Sequence, residues 1–410
     1  MPDDRLQRAR WLSSSDGRTA VDAATEARKS AHGDALRAST LLRTRTDLPP
    51  DRAAAALEQA ELAETARLRH GVEATNLLLT RDGLEAATRP VVADFRAKLL
   101  RTAGVRRVLD LTGGLGLDTA AFLRAGLQVT ALERDPVVAT YLRHNCPDAT
   151  VINADATDAA TLAGLLGELS DSDVVFVDPA RRDPAAARDS RTARARPERD
   201  PDRWSPPWSW VEAIPHPRVA AKVSPAFTPP DAWTAEWISV NRTVVECAMY
   251  SWAIGPVVRS ALILGDDGLA TEVLADAAPA QITGDVGTWL HEIDPAVIRA
   301  TAVASLARAE ELAWLGPGTT WLTGDHPSLH PALRSHQVVA DLSRNDREAR
   351  RQLADLSIAA ASIKCRDVAA TPRDILRALR IAEGPEHAIV ATTVGGNQRR
   401  VLVQPAQTRR

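Results

Sequence analysis

From residue 105 the chain alternates short apolar, β-branched runs with segments of helical period. The runs are VRRVLDL (105–111), LQVTALE (127–133), ATVIN (149–153), DVVFVD (173–178), PRVAAKV (217–223), WISVNRTVVECA (237–248) and VVRSALIL (257–264). Helical candidates at Asp118–Arg124, Pro136–His144 and Ala159–Leu169 fill the early gaps. Strands of this kind, each followed by a helix, predict an α/β fold with a parallel sheet covered on both faces. The last two runs lack a helix between them, and Ser251–Pro256 reads as a turn. An antiparallel hairpin is expected there, ending an otherwise parallel sheet.

Residues 1–88 read as a helical N-terminal region. Pro49-Pro50-Asp51 opens a stretch of strong helix formers with Leu57, Leu62 and Leu68 roughly on one face. Thr88-Arg89-Pro90 starts another helix, with Val91, Val92, Phe95, Leu99 and Leu100 at helical spacing. The α/β core is expected over 89–270. Residues 271–334, through PAVIRATAVASLARAEELAWLG, read as a helical connector. Residues 335–410 read as a small α+β domain, with Val394-Gly395-Gly396-Asn397 as a hairpin turn. Residues 181–210 interrupt the rhythm with eight arginines, five acids, and Trp204, Trp208 and Trp210. A long irregular stretch directly after a strand suits a lid or an insertion.

Composition narrows the function classes. A chain that is 45% hydrophobic and 25% charged is neither fibrous nor wholly disordered. A net charge of −3 excludes coating nucleic acid by charge alone. Within 341–410, however, thirteen basic residues face eight acidic ones, which suits an RNA-facing module. Only four of the fifty basic residues are lysine, a compositional bias that lowers the weight of any single arginine. Cys146, Cys247 and Cys365 are too far apart for a disulfide framework or a CxxC clamp. No apolar run approaches the ~18 residues of a membrane span, and the polar start is unlike a signal peptide. A reduced, cytoplasmic protein without membrane or metal is the expectation.

The chemistry gathers at strand ends. VLDLTGGLGLDT (108–119) runs from an apolar strand through Asp110 and Thr112 into Gly113, Gly114 and Gly116, then opens a helix. Glycines here let the backbone pass close to a ligand. A dinucleotide site wants G-x-G-x-x-G, but Thr119 stands where the third glycine belongs, and Asp110 would face the pyrophosphate. S-adenosylmethionine, a sulfonium with an amino-acid tail and no phosphate, fits better. The next strand ends in Glu133-Arg134, where a carboxylate can accept both ribose hydroxyls. The third ends in Asn153-Ala154-Asp155-Ala156, where Asp155 can accept from an adenine amine. On the fourth, Asp178-Pro179 can hold an exocyclic amine through the carboxylate and a proline-aimed carbonyl.

Ala180-Arg181 replaces the proline-aromatic pair that usually completes such a motif, and a literal Ser205-Pro206-Pro207-Trp208 follows later. Either segment is a candidate acceptor site. Trp204 or Trp208 is expected to stack on a base, Arg181 or Arg182 to meet a phosphate, and Lys222 to contact a substrate phosphate or carboxylate.

The set VLDLTGGLGLDT, VTALERDP, NADA, VDPARRD, WSPPW and AAKVSP resembles bacterial class I S-adenosylmethionine-dependent methyltransferases with a C-terminal THUMP-like domain. It is similar, more remotely, to trimethylguanosine synthase. The resemblance implies a seven-stranded Rossmann-like sheet, cofactor binding around Asp110, Gly113, Gly114, Gly116, Glu133 and Asp155, catalysis near Asp178-Pro179, and an RNA partner. Methyl transfer to guanine N2 or adenine N6 of RNA is the leading expectation. A small-molecule or protein methyltransferase, and a non-catalytic RNA-binding protein with a degenerate core, are the alternatives.

Overall fold

The structure is a computed structural model that describes residues 2–70, 76–180, 198–256, 258–265, 267–365 and 368–405. By internal contacts these residues form two units, Met1–Val223 with Met249–Ile254, and Ser224–Ala248 with Gly255–Arg410.

The first unit opens with helices α1 (Pro2–Leu12), α2 (Ser15–Ser30), α3 (Ala35–Arg45), α4 (Pro50–His70) and α5 (Arg81–Ala86). Their interior is built largely on alanine: Ala20, Ala24 and Ala27 of α2 pack with Ala53, Ala56 and Ala60 of α4. Small side chains let two helix backbones approach closely, so the alanine richness here is structural and not only compositional. Leu68, expected on the apolar face of α4, is exposed. Helix α6 (Pro90–Thr102) buries Val92 and Leu100 of its expected apolar face, together with Ala93, Arg96 and Ala97, while Val91, Phe95 and Leu99 are only partly buried.

Five parallel strands follow: β1 (Arg107–Asp110), β2 (Gln128–Leu132), β3 (Thr150–Ile152), β4 (Val174–Val177) and β5 (Val219–Val223), in the order β3-β2-β1-β4-β5. Helices α7 (Leu117–Arg124), α8 (Pro136–Asn145) and α9 (Ala159–Leu166) connect them, and α10 (Trp208–Glu212) precedes β5. Strands β4 and β5 are buried along their whole length, as strands covered on both faces must be.

In the second unit, β6 (Thr234–Val240) and the first six residues of β7 (Thr243–Tyr250) are sheet neighbours joined by two residues, Asn241 and Arg242. Strand β8 (Arg259–Leu264) pairs parallel to β6 and antiparallel to β9 (Ala270–Leu274). The hairpin therefore lies inside the run WISVNRTVVECA and not at Ser251–Pro256. Asn241 and Arg242 sit at φ of 51° and 61°, the left-handed pair of a tight hairpin. No glycine or proline marks it in the sequence.

Residues 271–334 are not a helical connector. They hold β10 (Trp289–Ile293), the short helices α11 (Pro295–Arg299) and α12 (Val303–Ala309), β11 (Ala313–Trp314) and β12 (Trp321–Gly324). The helical period breaks where Thr301, at φ 58°, ends the first of the two helices. These strands share one sheet with β13 (Leu333–Leu342), β14 (Ser362–Cys365), β15 (Ala388–Val394) and β16 (Asn397–Pro405), ordered β11-β12-β10-β13-β16-β15-β14. Two amphipathic helices, α13 (Asp346–Asp355) and α14 (Pro372–Leu379), pack on each other; α13 buries Ala349 and Leu353, and α14 buries Ile375 and Leu379.

Candidate active site

Parallel pairing of β1 with β2 and of β2 with β3 sets Asp110, Glu133 and Asp155 at three adjacent strand ends. Between the first two runs the glycine turn. Gly113 N–H donates to the Leu132 carbonyl at 2.8 Å, and Gly114 N–H donates to Glu133 Oε2 at 3.1 Å. Gly116 sits at φ +87°, where an added Cβ would lie 2.6 Å from Cys146 Sγ. Only glycine lets the chain turn there and lie against α8.

Each acid has a distinct environment. Asp110 is 1% exposed, accepting from Thr112 N–H at 3.1 Å and Thr119 Oγ1 at 2.7 Å. Burial pushes its carboxyl up to about 7 against those two hydrogen bonds. It lies beneath the turn and supports it. Glu133 is also raised by burial, while the amides of Asp135 and Gly114 pull the other way. Asp155 is exposed and held below the usual carboxylate range by the hydroxyl and amide of Thr157. Ala156 beside it is buried. Arg134 is exposed and donates to Ser205 Oγ at 3.0 Å, so its contact here is with the chain itself.

The fourth strand end is tied to the first. Asp178 N–H donates to Thr112 Oγ1 at 2.6 Å, which seats the Asp178-Pro179 step next to the glycine turn. Asp178 Oδ2 lies 2.5 Å from Lys222 Nζ, with the two side chains 26% and 7% exposed. This corrects the expectation for Lys222: its ammonium is committed to Asp178, Thr88 Oγ1 at 2.7 Å and Asp118 at 3.9 Å, and is not a cation presented to substrate. A lysine this deeply buried is held among carboxylates because water cannot solvate it.

Trp204 and Trp208 also differ from expectation. They are 4% and 5% exposed, so neither ring presents a face on which a base can stack. Trp204 Nε1 donates to the Glu198 carbonyl at 3.2 Å, and Trp208 opens α10 as a packing residue. Arg181 and Arg182 lie outside the described residues.

Four site residues had no assignment from the sequence: Thr88, Arg96, Asp118 and Thr119. Arg96 is wholly buried on α6, ion-paired with Asp118 and 5.2 Å from the centroid of the Phe176 ring. Burial pushes the Asp118 carboxyl up, but the charges of Arg96 and Lys222 outweigh it and leave the group below its ordinary value. Thr88 Oγ1 donates to Asp118 Oδ2 at 2.6 Å. The available signal was an arginine within the apolar face of α6 and an acid directly after the glycine turn.

The segment leading into this network is stapled by amides. Asn145 bonds both main-chain groups of Leu78 and the carbonyl of Leu115, while Gln59 bonds both main-chain groups of Leu79. Leu78, Leu79, Leu84 and Leu115 share a core with α1, α4 and α8. The N-terminal helices thus build one wall of the glycine turn.

An uncharacterised S-adenosylmethionine-dependent methyltransferase of Mycobacterium tuberculosis is 30% identical to this chain over 322 residues, 78% of this chain and 85% of the relative. This chain belongs to the S-adenosylmethionine-dependent methyltransferases. An uncharacterised S-adenosylmethionine-dependent methyltransferase from a second strain of that organism matches equally. A crystal structure from Porphyromonas gingivalis W83, described as that of a methyltransferase, superposes with a TM-score of 0.65 at 20% identity, covering 88% of this chain and 92% of the other. The fold of the methyltransferase is accordingly the class I α/β sheet with a helical N-terminal region and a small α+β C-terminal domain. Residues 333–405 match a family described as THUMP domain-like. The strands β10, β11 and β12 extend that sheet beyond the matched residues.

The donor set fits the cofactor. Asp118 and Asp178 balance the two cations Arg96 and Lys222, so ionisation of the raised Asp110 carboxyl leaves an excess negative charge that favours a ligand of net positive charge. At Gly114 an added Cβ would meet nothing closer than Thr112 O at 3.7 Å, so the space above the turn is open. Glu133, next to that turn, offers two oxygens of the kind a ribose needs. Among the described residues no group of three or more His, Cys, Asp or Glu is arranged to hold a metal, and no helix is long and apolar enough to cross a membrane.

Proposed function

We propose that this methyltransferase acts on an exocyclic base amine of RNA, guanine N2 or adenine N6, with Asp178 and Pro179 holding the acceptor. The observation that carries this reading is Asp178 itself. Its carboxylate is fixed from the buried side by Lys222, its N–H is anchored on Thr112 beside the glycine turn, and it stays partly exposed.

S-adenosylmethionine, when bound, supplies an electrophilic methyl group. Glu133 and Asp155 would hold its nucleoside, and the Gly113–Gly116 turn its amino-acid tail. An aromatic amine is a weak nucleophile because its lone pair is delocalised. Asp178 accepts one amine hydrogen and the adjoining main-chain carbonyl, aimed by Pro179, accepts the other. Lone pair and methyl are thereby aligned, and orientation of this kind can supply much of a barrier reduction of roughly 7–11 kcal/mol. No strong base is needed, since the methylated amine loses its proton readily.

The RNA part rests on the THUMP-like match over 333–405 and on exposed arginines along α13 and α14. A cytoplasmic location belongs to the same proposal, supported by Cys146, Cys247 and Cys365 all being free thiols. The test is incubation with tritiated S-adenosylmethionine and RNA from cells lacking the gene, followed by nucleoside mass spectrometry. Label in N2-methylguanosine or N6-methyladenosine is expected. Label in protein or in small metabolites instead overturns the acceptor.

A further inference from the structure

A buried chain of polar groups runs from α6 to the acceptor-holding carboxylate: Arg96, Asp118, Thr88, Lys222, Asp178. The direction of each hydrogen bond in it follows from the chemistry. Lys222 can only donate and the Asp118 carboxylate can only accept, so the Thr88 hydroxyl between them accepts from Nζ at 2.7 Å and donates to Oδ2 at 2.6 Å. Nothing in this arrangement can reverse without leaving a buried donor or acceptor unmatched. Arg96 locks the far end, with its guanidinium on Asp118 and against the face of Phe176.

We propose that Lys222 is a positioning residue for methyl transfer, and that Thr88 sets its direction. Of the Lys222 donors, one is spent on Thr88, and the ammonium lies within ion-pair range of Asp118, so its stem cannot swing. That leaves Nζ pinned where it holds Asp178 Oδ2 at 2.5 Å. Asp178 then has one carboxylate oxygen turned inward on a fixed ammonium. The inference deepens the proposed function and rests on it in one respect, that Asp178 holds the acceptor.

It also explains why Thr88 and Arg96 are buried at all. Thr88 lies 134 residues from Lys222 in sequence, immediately before the helix that carries Arg96. The end of the N-terminal region is in this way built into the floor beneath the acceptor site. Misplacing a reacting group by about 1 Å costs roughly 100-fold in rate, so slack in this chain should appear in turnover.

Four variants of the full chain test this: Lys222→Met, Lys222→Arg, Thr88→Val and Thr88→Ser. Each is measured for S-adenosylmethionine affinity by calorimetry and for kcat and KM with RNA from cells lacking the gene. Lys222→Met should lower kcat by roughly 100-fold while cofactor affinity stays within about threefold, and Lys222→Arg should recover most of the loss. Thr88→Val, which keeps shape and removes only the hydroxyl, should lower kcat by about tenfold, with Thr88→Ser near wild type. Equal kcat in Lys222→Met and wild type overturns the proposal, as does an equal loss of cofactor affinity and kcat, or no recovery in Lys222→Arg.

A crystal structure of Thr88→Val separates this inference from the RNA reading, because it needs no acceptor. The Asp178 carboxylate should be rotated or split between positions while the glycine turn is unchanged. An unmoved Asp178 overturns the inference. A moved Asp178 in an enzyme that methylates no RNA overturns only the acceptor.

Discussion

Ala180 and Ser205 exchange both of their main-chain hydrogen bonds, at 2.8 Å and 3.0 Å, in an isolated antiparallel bridge. The bridge makes one rim of Asp178-Pro179 and Ser205-Pro206-Pro207-Trp208, which the sequence offers as competing acceptor sites. Arg134, at the end of β2, reaches the same Ser205 hydroxyl. The rim is therefore held from both the β4 end and the β2 end.

On the proposed function Asp178 faces the acceptor and not the cofactor. Asp178→Ala should abolish methyl transfer while cofactor affinity changes by no more than about threefold. Calorimetry and a label-transfer assay on the same preparation check this. A large loss of S-adenosylmethionine affinity would place the residue on the cofactor side instead.

The state of Asp110 should make the protein pH-sensitive. Its folded pKa of about 7 lies above the ordinary 3.8, so the folded state holds this proton more tightly than the unfolded chain does. Its contribution to stability is therefore present at low pH and lost as pH rises from about 4 toward about 7. Denaturant unfolding across that window should show wild type losing stability relative to Asp110→Asn. The cationic cofactor favours the ionised form, so its affinity should rise through about pH 7 in wild type, with that step absent from Asp110→Asn. Parallel profiles for the two proteins would contradict the assignment.

The glycines of the turn should separate by mechanism. At Gly116 an added Cβ meets Cys146 Sγ at 2.6 Å and Leu142 Cδ1 at 2.7 Å, on top of φ +87°. Gly116→Ala should cost roughly 1–3 kcal/mol of stability, read by denaturant unfolding. Gly114, at φ +52° with open space around it, should tolerate alanine better in stability. Its new methyl group occupies the space above the turn, so Gly114→Ala should weaken cofactor binding more than it weakens folding.

The arginines of the THUMP-like region provide a separate handle on RNA. Arg347 and Arg351 on α13, and Arg373 and Arg377 on α14, are exposed. Changing them to Gln should weaken RNA retention and reduce its salt dependence, by roughly 0.7–0.9 in the log–log slope for each arginine that meets a phosphate. S-adenosylmethionine affinity should not change. An unaltered slope would remove this surface from the proposal.

The sequence alone determined the parallel strands β1 to β5, the glycine turn, and the acids at the strand ends, because each is a local pattern. A strand buried on both faces must be apolar, and a chain that turns tightly against a helix must be glycine. It did not determine the hairpin at Asn241 and Arg242, because left-handed backbone at those residues carries no glycine or proline. Nor did it reveal strands β10 to β12, which flank two short helices whose alanines suggest one long helix. Tertiary structure decided the fate of Lys222, Trp204 and Trp208. Lysine and tryptophan are chemically suited both to meeting a substrate and to filling an interior, and only their surroundings choose. For Lys222 the choice is made by Thr88, Asp118 and Asp178, which come from other elements of the unit. A buried ammonium without them would lose the solvation that water provides and regain nothing.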